Sequence, residues 1–153
     1  MRFILVCGFG LLLSAHCFAE ESLVGTYRLL KNDVRLDGEP VQPMGKSQHG
    51  YLVITPKVLV LLYTGDVRRP GTTPEAKVGL YDSMAAYAGP YRVEGDKLIV
   101  SVDTSWNEVW AGRDQTRTIE VKGKRLALIG APQRSSTQAN RTLTSRSEWE
   151  RID

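Results

Sequence analysis

Cysteine is the first thing this chain lacks. Only two occur in 153 residues, Cys7 and Cys17, and both lie in the first nineteen. That stretch reads as an export signal. Arg2 precedes an apolar run from Phe3 to Leu13, and Cys17-Phe18-Ala19 supplies small residues where a signal peptidase cuts. Cleavage after Ala19 leaves one domain, residues 20–153, large enough for a real core and devoid of thiols. A disulfide, a thiolate metal site and a cysteine nucleophile are thereby excluded from the mature chain. The expected location is the periplasm or the extracellular space, where the domain must hold together by packing alone. The apolar run is too short for the roughly 20 residues of a membrane-spanning helix, so no span is expected in the mature protein. A lipoprotein beginning at Cys17 is disfavoured by the bulky His16 before it.

Histidine is nearly as scarce. His16 leaves with the signal, and His49 stands alone at a loop-to-strand junction, where it reads as a surface residue. With no second histidine, a transition-metal site has little to build on, and no metal or cofactor is expected. Charge of one sign is also missing: 20 Lys and Arg face 17 Asp and Glu, and the net charge of +3 falls to +2 without Arg2. No basic cluster larger than Arg68-Arg69 stands out, so nothing points to nucleic acid. Phosphate-binding glycine loops, nucleophile elbows and paired-carboxylate motifs are absent, and no catalytic residue is assigned.

What the chain does have is strand pattern. Leu23, Gly25, Tyr27 and Leu29 share a face at period two, and the strand continues through Val34 and Leu36 to the turn signal Asp37-Gly38. Glu39 to His49 reads as a loop. The most apolar stretch, Gly50 to Thr64, splits at Pro56-Lys57 into strands Tyr51–Thr55 and Val58–Tyr63. Its near-continuous apolarity implies that both faces are covered, one of them by the helix that follows. That helix starts after Thr73, with Pro74 in its first turn, and runs roughly fourteen residues to Gly89-Pro90, with Leu80, Met84 and Tyr87 on one face.

From Gly89 to Arg117 the chain reads as a meander: strand, turn at Gly95, strand, an aromatic bend holding Trp106 and Trp110, strand. A second hairpin repeats the turn chemistry at Lys122-Gly123-Lys124. Gly130 to Asn140 reads as a loop, and Arg141 to Ile152 as the closing strand. The expected class is mainly β, a single antiparallel up-and-down barrel of about 8–10 strands with one short helix, because closure removes exposed edges.

Leu23-Val24-Gly25-Thr26-Tyr27-Arg28-Leu29, Gly50-Tyr51-Leu52, Tyr87-Ala88-Gly89-Pro90-Tyr91, Trp110-Ala111-Gly112 and Glu148-Trp149-Glu150-Arg151 together resemble the bacterial and fungal lipocalin-like domain family. The resemblance covers nearly all of the mature chain. It implies a lipocalin-like β-barrel associated with binding small apolar molecules in its interior, and an arginine of the last strand, here Arg151, packed across the first-strand aromatic. The chain departs from the family pattern at Tyr27, where tryptophan is usual, and at Ser101, in a strand where histidine is often found.

The candidate ligand-binding residues are Tyr51, Tyr63, Tyr91, Trp106, Trp110 and Arg117. Ligand cavities are commonly apolar and aromatic with a few polar anchors, and the aromatics supply such walls. Arg117 shares strand parity with Ile119 and Val121, so it faces the core, where a guanidinium needs compensation. It serves either as anchor for the carboxylate or carbonyl of an amphipathic ligand, or as a structural cation stacked on Trp110 or Tyr27. The expected partner is therefore a small hydrophobic or amphipathic molecule, bound without chemistry. Two other readings stand beside it. One is an isomerase or cyclase using a tyrosine with Asp103 or Glu108; the other is a protein-interaction module on a barrel scaffold.

Overall fold

The first strand is where the sheet both begins and closes. In the computed structural model, which describes residues 23–66, 68–135 and 140–153, β1 (Gly25–Leu36) pairs antiparallel with the last strand, β10 (Thr142–Arg151). That ladder runs from Tyr27↔Arg151 to Leu36↔Leu143. On its other side β1 pairs with β3 (Gln48–Ile54), and the sheet continues through β4 (Val58–Gly65), β5 (Met84–Glu94), β6 (Lys97–Ser101), β8 (Asp114–Lys122) and β9 (Arg125–Arg134) back to β10. Eight antiparallel strands form a closed barrel, as expected. Two short strands are accessory: β2 (Glu39–Val41) adds to the far end of β1, and β7 (Thr104–Ser105) to β5. The expected signal segment, 1–19, lies outside the described residues, as does part of the expected Gly130–Asn140 loop.

Alternation decides what fills the barrel. Tyr27, Leu52, Leu61, Val100, Leu126 and Trp149 point inward from six different strands and are buried. Leu23 plugs the same end, and Trp149 is fully inaccessible, its indole N–H donating to Ser147 Oγ at 2.8 Å. Arg151 crosses this end as the resemblance implies. Its Cζ lies 5.2 Å from the centre of the Tyr27 ring, and its Nη2 donates to the Tyr27 hydroxyl at 2.7 Å.

A bulge in β1 changes the pattern halfway along. Leu29 pairs with Trp149, but Lys31, not Leu30, pairs with Glu148. Leu30 points outward by alternation; the extra residue keeps Lys31 outward too and flips the parity beyond it, so Asn32, Val34 and Leu36 face inward where Lys31, Asp33 and Arg35 would otherwise stand.

Three expectations need correction. The helix, α1, spans Pro74–Asp82, nine residues; Thr73 caps it as read, its hydroxyl accepting from the Ala76 N–H. It ends early because Ala85, Tyr87 and Gly89 alternate with exposed or half-buried neighbours and pair with β4, from Val58↔Pro90 to Thr64↔Met84. Seven ladder positions outweigh the helix propensity of a few alanines. Pro90 tolerates this place because it sits on the outside at the end of the β4 ladder.

The second correction concerns cover. α1 buries none of its side chains, and Val58, Val60 and Leu62 form an exposed outer stripe on β4. The apolar run therefore is not sandwiched by the helix. Third, β9 extends through Pro132 to Arg134, and Glu39–Val41 is strand rather than loop. The missing N–H of Pro132 is harmless because the β8–β9 ladder reaches only Gly130.

Candidate functional site

The barrel interior divides into an apolar end and a polar end. The polar end begins at Asn32, carried inward by the bulge, and Gln48, the first residue of β3. The Asn32 amide donates to Gln48 Oε1 at 3.0 Å and lies beside the Tyr63 hydroxyl. Tyr63 occupies its place because Gly50 lies opposite it on β3, where a Cβ would collide with the Tyr63 backbone and Cβ. Across the interior, its ring meets Trp149 edge-on at 6.5 Å.

Tyr87 comes inward from β5 and packs edge-on against Trp110, ring centres 5.6 Å apart. Burial raises the phenol pKa of both Tyr63 and Tyr87, while the positive charge of Arg117 pulls each the other way. Both hydroxyls are therefore neutral donors at physiological pH. Among the described residues every fully buried polar side-chain atom has a hydrogen-bond partner. Tyr87 Oη has none, so it must look onto space that a solvent-sized group can enter.

Arg117 faces inward as the sequence indicates, since it stands between buried Leu98 on β6 and Gly130 on β9. Its Nη1 donates to the carbonyl of Thr116 at 2.8 Å and its Nη2 to Gln115 Oε1 at 3.3 Å. Neither acceptor is charged. The stacking expected on Tyr27 or Trp110 is not what holds it. Arg151 covers Tyr27, and the cation–π pairs among the described residues are Arg151 over Tyr27 and Arg28 over Tyr51.

Of the six candidates, then, Tyr63, Trp110 and Arg117 converge, with Tyr87 between them. Tyr91 faces inward but at a distance from this group, and its hydroxyl donates to the Thr55 carbonyl at 3.0 Å. Tyr51 points outward, 48% exposed beneath Arg28, because it follows Gly50 and so takes the opposite parity. Trp106 also lies outside the barrel. Its ring is tilted against Tyr81 of α1 and meets Trp110 edge-on, and its indole N–H donates to the Tyr81 carbonyl at 3.2 Å.

Sequence reasoning missed Asn32, Gln48 and Tyr87. The doublet Leu29-Leu30 was the one available sign of the bulge that exposes Asn32 to the interior. Tyr87 was assigned to the helix. Ser101 also changes meaning: its hydroxyl points outward and donates to Asp114 Oδ1 at 2.8 Å, so its identity bears on the outer surface and not on the interior.

Two recesses accompany the interior. The β1–β3 ladder stops at Arg28↔Tyr51 and the β1–β2 ladder starts at Val34↔Val41. Between them a cleft of about 400 Å³ opens in the seam, walled by Lys31, Asp33, Arg35, Lys46 and, toward the interior, Asn32 and Gln48. The second, about 200 Å³ and apolar, lies on the outside between Val60, Leu62, Ala86, Ala88 and Trp106.

No cluster of three or more metal-ligating side chains occurs among the described residues, and no helix there is long and apolar enough to cross a membrane. Residues 24–152 match the model of a lipocalin-like domain family. No curated protein matches the chain.

Proposed function

The chain belongs to the lipocalin-like domain family, and from that premise we propose that it is an exported binding protein that takes a small hydrophobic or amphipathic molecule into the polar end of its barrel and performs no chemistry on it. The observation that carries this reading is the pairing of Tyr87 and Arg117. A hydroxyl without a partner and a guanidinium bonded only to neutral oxygens of its own strand face the same space, beside apolar walls. A few polar anchors in an otherwise aromatic and aliphatic enclosure are how proteins hold small ligands. Tyr63 and Trp110 supply the walls, and Asn32 and Gln48, which also line the seam cleft, bound the polar end.

Export rests on the leader-like first nineteen residues. The isomerase or cyclase reading requires a base near a tyrosine. Asp103 and Glu108 are both exposed at the outer bend, and no inward strand position carries a carboxylate. The protein-interaction reading has in its favour the outer stripe of Val58, Val60 and Leu62, and would require that a charge placed there abolish complex formation.

Native mass spectrometry of the protein purified from its own host tests the proposal. A co-purifying adduct of small-molecule mass, lost on substitution of Arg117 or Tyr87, is the expected result. Protein that is free of adduct, and that leaves hydrophobic probes unbound at millimolar concentration, would overturn it.

A further inference from the structure

We infer that the head group of the bound molecule is a single carboxylate, seated on Arg117 between the hydroxyls of Tyr63 and Tyr87; this rests on the binding reading above and narrows it. The inward positions of the eight barrel strands include no Asp or Glu. Every carboxylate on the strands points outward, and there the arginines find them. Arg92 meets Glu94 and Asp114 at 2.8 and 3.2 Å, and Arg146 meets Glu120 and Glu148 at 2.9 and 3.2 Å. Arg117 is the exception. Its hydrogen bonds go to a backbone carbonyl and an amide oxygen, and among the described residues it forms no ion pair.

A guanidinium carries five N–H donors in a planar fork, and two bonds to neutral oxygens leave three donors and the whole charge uncompensated. A neutral molecule entering this space would strip water from the cation and return nothing of opposite sign. A carboxylate would accept the fork in two parallel bonds. The tyrosines are arranged to help. The Asn32 amide lies beside the Tyr63 hydroxyl, and the Tyr87 hydroxyl has no hydrogen bond to give up. Burial keeps both phenols protonated, which makes them donors to an anion. One charge is the limit. The other inward arginine, Arg151, is committed to Tyr27 and lies 4.0 Å from Asp153 at the opposite end.

The test uses two probes of equal size, 2-naphthoate and 2-naphthamide, titrated by calorimetry into the mature wild-type protein and into Arg117→Gln and Arg117→Lys. The expected result is wild-type binding of the carboxylate about tenfold or more tighter than the amide. That preference should vanish in Arg117→Gln and survive in part in Arg117→Lys. Urea midpoints within about 0.5 M of the wild type report that the variants are folded. Equal binding of the two probes by the wild type overturns the anion assignment and leaves the binding reading standing, and it does so without recourse to any variant. A preference that persists in Arg117→Gln overturns the assignment to Arg117. A neutral molecule co-purifying with the protein, with neither probe bound, overturns the anion assignment alone; no adduct and no probe binding overturn both.

Discussion

Exchanging Arg151 for methionine should destabilise the barrel in a way that depends on the Tyr27 hydroxyl. Methionine preserves much of the apolar stem. What is lost is the guanidinium over the Tyr27 ring, 5.2 Å away, and the Nη2 bond to its hydroxyl at 2.7 Å. A partly exposed cation–π contact contributes about 0.5–1 kcal/mol and a hydrogen bond to a charged group about 1.5–3, part of which solvation of a free arginine returns, so a loss of about 2 kcal/mol is expected. Tyr27→Phe removes the same bond from the other side. It also orphans the Leu23 carbonyl, which the hydroxyl reaches at 2.9 Å in a buried setting, for a loss of similar size. Because both substitutions delete the Arg151–hydroxyl bond, the double variant should be less damaged than the two losses added, with a coupling of about 1 kcal/mol. Urea unfolding followed by tryptophan emission reads each step, and 2 kcal/mol moves the midpoint by about 1 M. Additivity to within about 0.3 kcal/mol would refute the claim that these residues close the barrel end together.

Gly50→Ala should cost about 1–3 kcal/mol in the same assay, because the new Cβ enters the space of Tyr63 and the Leu62 carbonyl; an unchanged midpoint would mean that Tyr63 is not held where the structure puts it. Asp37 accepts from the Thr142 N–H at 2.7 Å and from Arg141 at 2.8 Å, and these bonds hold its carboxyl below the ordinary 3.8. The stability it adds is present above that value and lost as the pH falls through the lower folded value. Wild type should therefore lose its advantage over Asp37→Asn in acid, below about pH 4, and a constant difference from pH 7 to pH 2 would contradict the assignment. Leu62→Lys on the outer stripe should change stability by no more than about 0.5 kcal/mol, since the side chain is already 43% exposed; a loss above 2 kcal/mol would show that something covers this face.

How much of this was readable depends on which physical signal each residue carries. Asp37-Gly38 and the glycines at 95 and 123 announce their turns, and all four residues adopt positive φ. Arg117 could be placed inward because Ile119 and Val121 share its parity and the strand holds no irregularity. Tyr51 could not be placed, since Tyr51-Leu52-Val53-Ile54 is apolar throughout and offers no alternation from which to choose a face. A bulge leaves almost no mark on composition, yet the one after Leu29 decides that Asn32 rather than Lys31 or Asp33 meets Tyr63. The helix start was legible in Thr73-Pro74, but its end was set by pairing with β4, a contact between segments distant in sequence that local propensity does not register.

The central claim is that ligand lodges inside the barrel, at Arg117, and not in the apolar recess outside. Nitrogen–proton correlation spectra recorded while 2-naphthoate is added, with the arginine Nε–H and tryptophan indole signals resolved, separate the two locations directly. Saturable shifts are expected at the Arg117 Nε–H, at the backbone amides of Asn32 and Tyr63 and at the Trp110 indole. Shifts confined to Val60, Leu62, Ala88 and the Trp106 indole, with Arg117 unmoved, would contradict it.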